Sequence, residues 1–136
     1  MRSKRRILGA VLGGLCLLGA MGGVWFHGIL QRYRAAVEAL RVQDVDLATV
    51  PDGAYVGSQD AVLVAAEVRV TVADGAIRRI EILRHENGRG KPAEAVLDRV
   101  IAAQSLRVDA VSGATSSSKV LLKAVENALR GAREGL

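Results

Sequence analysis

Apolar residues along this chain follow several different periods, and each period predicts an element. Ile7 to Phe26 is an uncharged run that continues through His27 and Gly28 to Ile29 and Leu30, long enough to cross a bilayer as a helix. Gln31 to Arg41 keeps a helix-favouring composition (Ala35, Ala36, Val37, Glu38, Ala39, Leu40), which predicts a stalk continuing the span. Asp44, Asp46, Thr49, Pro51 and Asp52 end it and form a linker. Further on, Val68, Val70 and Val72 alternate with Arg69 and Thr71, the period of a strand with one buried face. Asp74-Gly75 predicts a hairpin turn, with Ile77 to Leu83 as the return strand. Parity slips between Ile77 and the pair Ile80 and Ile82, which predicts a β-bulge near Arg78-Arg79. An earlier strand is expected around Ala54 to Ser58, with Ala61 to Ala65 merging into Val68 to Val72.

Two helical repeats follow. Pro92 is expected to open a helix at its first position, with Val96, Leu97, Val100 and Ile101 facing inward. From Lys119 onward, Val120, Leu121, Ala124, Val125, Ala128 and Leu129 mark one buried helix face. The expected fold is α+β: a small antiparallel sheet packed with two helices, preceded by one N-terminal transmembrane helix. The expected organisation is a basic tail over 1–6, a transmembrane helix over 7–30, a stalk and linker over 31–51 and a folded domain over 52–136.

Charge orients the span. Arg2, Lys4, Arg5 and Arg6 precede it and Trp25 falls near its far end, so the positive-inside rule places the N-terminus in the cytoplasm and the C-terminal domain outside, on a single-pass membrane anchor. A cleaved signal peptide is the competing reading, because Ala20-Met21-Gly22 has small residues where a signal peptidase reads. The apolar run continues past that point, which favours the uncleaved anchor. Cys16 has Leu15 rather than a small residue before it, so it reads as one more apolar residue of the span, and a single Cys leaves no disulfide framework. Gly9/Gly13 and Gly19/Gly23 have the spacing of close helix contact, equally compatible with ordinary glycine content.

The net charge of +5 is concentrated near the N-terminus. Seven basic residues and one acid lie in the first 41 positions, and the rest of the chain nets −1. A near-neutral domain without a basic groove or aromatic platform argues against nucleic acid as a partner. No Ser/His/Asp set or metal cluster can be assembled from two histidines and one cysteine, His27 and Cys16 both being in or beside the span.

The chemistry-bearing stretch is Asp109-Ala-Val-Ser112-Gly113-Ala114-Thr115-Ser116-Ser117-Ser118, set between the apolar run Leu106 to Val111 and the last helix. Residue types alone allow two readings. One is a polar loop with a redundant N-cap. The other is a tight turn at Gly113 with unpaired N–H groups and the positive helix end beside Thr115, a place that attracts phosphate. A Walker A loop is excluded because no Gly-Lys-Ser/Thr follows.

This stretch, an Asp-x-x-Ser-Gly-Ala-Thr followed by serines and an amphipathic helix, resembles the flavinylation motif of the FMN-binding domain family, shared with the C subunit of the sodium-pumping NADH:quinone oxidoreductase and the G subunit of Rnf complexes. Asp52-Gly53-Ala54-Tyr55-Val56-Gly57 is similar to the family's opening motif, so the likeness covers roughly residues 52 to 132. The resemblance implies that the Thr115 hydroxyl carries FMN as a phosphoester, that Ser112, Gly113, Ala114 and Ser116 form the cofactor-binding turn around it, and that Asp109 is read by a separate flavin transferase. That enzyme uses FAD and Mg²⁺ and releases AMP. His85-Glu86-Asn87-Gly88-Arg89-Gly90-Lys91 is a solvated connector on residue types alone. By resemblance to short family members Gly88, Gly90 and Lys91, and more remotely His85, lie near the flavin. The larger respiratory subunits carry Glu-Thr-Pro-Gly there, and this chain does not.

The implied function is that of a membrane-anchored extracytoplasmic flavoprotein with covalent FMN. It would pass electrons between a membrane-associated donor and acceptor, with no catalytic residues or metal of its own and the redox chemistry supplied by the cofactor. The alternatives are a flavin-carrying binding or sensory module of a larger membrane complex and a purely structural domain.

Overall fold

The N-terminal run and the stalk form one helix, α1, over Arg2–Ala39. The computed structural model describes residues 2–86 and 91–135. By length and composition α1 can cross a membrane, and its large apolar side chains from Ile7 to Phe26 are exposed. The chain divides into two compact units, Met1–Arg34 and Ala35–Leu136, and the rest of the description concerns the second.

The linker is structured by its own acids. Asp46 accepts a hydrogen bond from the Ala48 amide at 3.1 Å and so caps a 3₁₀ turn over Leu47–Thr49. Strands β1 (Gly53–Asp60), β2 (Ala65–Ala73) and β3 (Ala76–Glu86) then form an antiparallel sheet in the order β1-β2-β3. Ala61 to Val64 is not part of β2 as expected from its apolar run. Ala61 and Val64 are bonded to each other across a turn in which Val62 takes a positive φ, and β2 starts only at Ala65.

The β2–β3 hairpin agrees with its sequence signature. Asp74 and Gly75 both have positive φ, 53° and 70°, as the tight turns matching strand twist require. Thr71 pairs with Arg79 and Val72 with Ile77, so Arg78 is the extra residue of the expected bulge. A second irregularity leaves Leu83 extra, between the pairs Glu67–Arg84 and Val68–Ile82. The bulges restore the apolar face: Val68, Val70, Val72 and Ile77 are buried on one side. On the other side Glu81 lies between Arg69 at 3.7 Å and Arg79 at 3.1 Å, a solvated charge ladder.

Pro92 does not open a helix directly. It sits in a 3₁₀ turn over Lys91–Glu94, and α2 runs over Ala95–Ala103 with Val96, Leu97 and Val100 buried and Ile101 only half-buried. The last helix, α3, spans Thr115–Glu134, beginning one turn earlier than its apolar repeat suggests. All six of its expected core positions, Val120, Leu121, Ala124, Val125, Ala128 and Leu129, are buried. α3 lies across β1 and β2, and α2 packs against β3 and α3.

Contact between α3 and β1 is at backbone distance. A Cβ placed on Gly57 would lie 2.8 Å from Ala128 Cα and closer still to the Ala124 carbonyl oxygen and the Ala128 nitrogen. These are backbone atoms of the helix and cannot rotate away, so glycine is demanded by the close approach. Gly57→Ala is expected to destabilise the domain by about 2 kcal/mol or more, read as a lowered denaturant midpoint of the full chain. A loss within about 0.5 kcal/mol, the range of ordinary surface changes, would contradict this packing.

Candidate functional site

The path from α2 to α3 carries the motif, and side chains from three directions hold it. At its start Asp44 accepts hydrogen bonds from the Ser105 hydroxyl at 2.7 Å and the Leu106 amide at 3.0 Å. Burial acts to raise the Asp44 carboxyl, but those bonds, the Val45 amide and nearby Arg107 outweigh it and hold it below the usual carboxylate range. Next, Arg99 of α2 donates through Nη1 to the carbonyl of Asp109 at 2.8 Å and to that of Ala110 at 3.3 Å. Leu106 to Val111 takes up no regular secondary structure.

A four-residue turn follows. The Ala114 amide donates to the Val111 carbonyl at 3.0 Å, and Gly113 holds φ at +78°. Among the described residues nothing stands within 4 Å of a Cβ built on Gly113, so its left-handed backbone, rather than crowding, calls for the glycine.

Among the described residues no side chain caps α3: its N-cap is Ala114, and none of the motif's hydroxyls takes the capping role that residue types suggest. Ser118 is instead wholly buried within the first helical turn. Its hydroxyl donates to the Ala114 carbonyl at 2.8 Å and accepts from the Val111 amide at 3.0 Å. Ser117 is also buried, Ser116 is half-buried, and Thr115 and Ser112 are exposed. Of the five hydroxyls, burial therefore withdraws two, and Thr115 alone is both exposed and on the first residue of the helix. Among the described residues no side chain accepts from the leading N–H groups of α3, and no acid stands in the first turn. Lys119, half-buried, lines a groove with Asp109, Ala110 and Leu122 just below. A larger open groove of about 770 Å³ runs from Ser112 past Asp109 to Arg99 and Arg107.

The connector after β3 divides into two parts. Asn87, Gly88, Arg89 and Gly90 lie outside the described residues. His85 and Lys91 flank that gap and both reach Glu94: His85 Nδ1 is 3.1 Å from Oε1, and Lys91 Nζ is 3.2 Å from Oε2. The His85 side chain is only 2% exposed, so the solvated connector expected from residue types does not describe it. It is held where β3 ends, opposite Ala66, while the Lys91 side chain stays largely in solvent. The Lys91–Glu94 turn packs against α3. Sequence reasoning did not single out Glu94, Arg99 or the internal role of Ser118. The Lys91–Glu94 pair has a readable i,i+3 spacing. The bond from Arg99 to a loop ten residues on leaves no periodic trace.

The site is thus an exposed hydroxyl on an uncapped helix start, beyond a left-handed turn, with a cation one turn on. That donor set fits a phosphate group held at the start of α3. Residues 65–130 match the FMN-binding domain family, which supports placing the folded domain in that family. The match includes Asp109 to Ser118 and the Lys91–Glu94 turn, and leaves Asp52 to Gly57 outside. Among curated proteins, the chain is similar to an uncharacterized protein of Treponema pallidum (strain Nichols), 29% identical over 140 aligned residues. That alignment covers 93% of this chain and 39% of the relative's length. No solved structure matches it.

Glu94 gives the site a pH signature. Burial acts to raise its carboxyl, but the His85 hydrogen bond and the Lys91 hydrogen bond and charge outweigh it, holding the group below its ordinary 4.5. A depressed carboxylate stabilises the fold above its unfolded pKa, and that contribution is lost as pH falls through the folded value. Glu94→Gln is therefore expected to lower stability at pH 6 to 7, with the gap to the parent closing below about pH 4.5. Unfolding curves across that range check it, and a gap that is constant with pH would contradict it.

Proposed function

We propose that the protein is a membrane-anchored flavoprotein that carries FMN as a phosphoester on Thr115 and passes electrons between membrane-associated partners. The observation that carries this is the exposure of Thr115 at the uncapped start of α3, within the stretch matching the FMN-binding domain family. The N–H groups of the first helical turn would hold the phosphate oxygens, with Lys119 adding a positive charge nearby. Asp109, exposed on the loop below, is the group offered to the modifying enzyme. Attachment is made by a flavin transferase: Thr115 Oγ bonds to the phosphorus of the FMN half of FAD, the pyrophosphate bond breaks, AMP departs and the hydroxyl proton is released.

FMN, once held, supplies reversible one- and two-electron chemistry; the protein supplies position and charge. The cationic residues before the span support placing the domain outside the cytoplasm. No flavin pool is maintained there, and a covalent tether keeps the cofactor at an effective concentration of roughly millimolar or more whatever the bulk level. The redox partners are defined only as a membrane-associated donor and acceptor.

Co-expression with a flavin transferase tests the attachment. The parent should gain the mass of FMN less one water and Thr115→Val should gain nothing, while Ser116→Ala and Ser117→Ala remain modified. A Thr115→Val chain that still gains the mass means a different acceptor; a parent that never gains it removes the covalent flavoprotein reading. The topology is checked separately by a reporter fused after Leu136, expected to be active only outside the cytoplasm.

A further inference from the structure

We infer that Arg99 and Ser118 are positioning residues for the acceptor turn, holding Thr115 in the geometry that flavin transfer requires. This rests on Thr115 as the attachment point. The transfer is a displacement at phosphorus: the Thr115 Oγ–P bond forms as the P–O bond to the departing AMP breaks, with no change of oxidation state and one proton released. Such a step depends on how closely the nucleophile is held to its line of attack, and small misplacements are costly in rate.

Thr115 is solvent-exposed, and the turn that leads into it runs through a left-handed glycine, so the approach to the helix needs a restraint of its own. The restraint comes from two helices acting on the backbone before it. Arg99, on α2, grips the carbonyls of Asp109 and Ala110 through one Nη1. Ser118, on α3, uses one buried hydroxyl twice, accepting from the Val111 amide and donating to the Ala114 carbonyl. The Ala114 carbonyl also accepts the Ser118 amide at 2.9 Å, so both ends of the Val111–Ala114 turn are tied to a single residue. Arg99 sets where the loop enters, and Ser118 sets where the turn closes. Arg99 itself is exposed, so this grip is not a core contact and its loss leaves the packing of α2 intact.

The test uses the full chain with a purified flavin transferase, FAD and Mg²⁺, comparing the parent with R99M, R99K and S118A. In R99M the rate of FMN incorporation at saturating transferase should fall at least about ten-fold, with the thermal midpoint unmoved and R99K recovering part of the rate. Before any flavin is added, hydrogen exchange at the Val111 and Ala114 amides should quicken in both R99M and S118A. Incorporation into R99M at the parent's rate would overturn the role. So would an effect confined to the transferase concentration giving half the maximal rate, which marks a docking contact. A parent that gains no mass fails at the attachment itself and takes this role with it, whereas a modified parent with an equally modified R99M fails here alone.

Discussion

The close approach of α3 to β1 is the constraint on which the remaining geometry depends. Gly57 brings strand backbone against the backbone of Ala124 and Ala128, and the α3 face from Val120 to Leu129 then covers Val68, Val70 and Val72 of β2. Asn127 adds a hydrogen bond to the Ser58 carbonyl at 2.8 Å, so the helix is pinned along the strand as well as against it. A helix fixed in that manner has a fixed first turn. The course of α3 is therefore set by a contact near its middle, in the apolar core, and Arg99 and Ser118 set the turn that leads into Thr115.

The outer side of α3 carries a second attachment, to the segment that follows α1. Glu126 is fully buried, and its Oε2 accepts the Gln43 amide at 3.0 Å and lies 3.1 Å from Lys123 Nζ. Its Oε1 is 2.7 Å from Arg130 Nε, an ion pair out of line for a hydrogen bond. Arg130 also bonds Gln43 Oε1, and Lys123 donates to the Arg41 carbonyl at 3.0 Å. A buried ion pair is weak evidence for net stability, because desolvation offsets much of its attraction, but removing one partner leaves an uncompensated charge. These bonds join residues 41–43 to α3, and Asp44 extends the attachment to Ser105 and Leu106, just ahead of the motif. The linker is thus joined to the segment that leads into the Val111–Ala114 turn.

What the sequence made legible was periodic or local. The hairpin at Asp74-Gly75, the bulge at Arg78, the buried faces of α2 and α3 and the long apolar helix all follow from spacings within one element. The errors have the same origin. Ala61 to Val64 is apolar enough for a strand, yet it turns; Pro92 suits the first position of a helix, yet it lies in a 3₁₀ turn; and the motif's hydroxyls do not cap α3. In each case composition was right and the backbone used it otherwise. Within the opening motif, Asp52 accepts the Asp74 amide at 2.9 Å, the Tyr55 hydroxyl donates to the Pro51 carbonyl at 2.7 Å, and Gly57 makes room for α3. Its residues shape the fold at a distance from Thr115 in sequence. Arg99, Glu94 and Glu126 act across long sequence separations or through burial, neither of which a single chain displays.

The central claim is that one hydroxyl, exposed where an uncapped helix begins, carries the cofactor. Trypsin cuts after Arg107 and Lys119, releasing Val108 to Lys119 with all five motif hydroxyls on one peptide. Tandem mass spectrometry of that peptide, from protein matured beside a flavin transferase, should show FMN less one water with fragment ions assigning it to Thr115. The same peptide unmodified, or carrying the group on Ser112 or Ser116, would contradict the account.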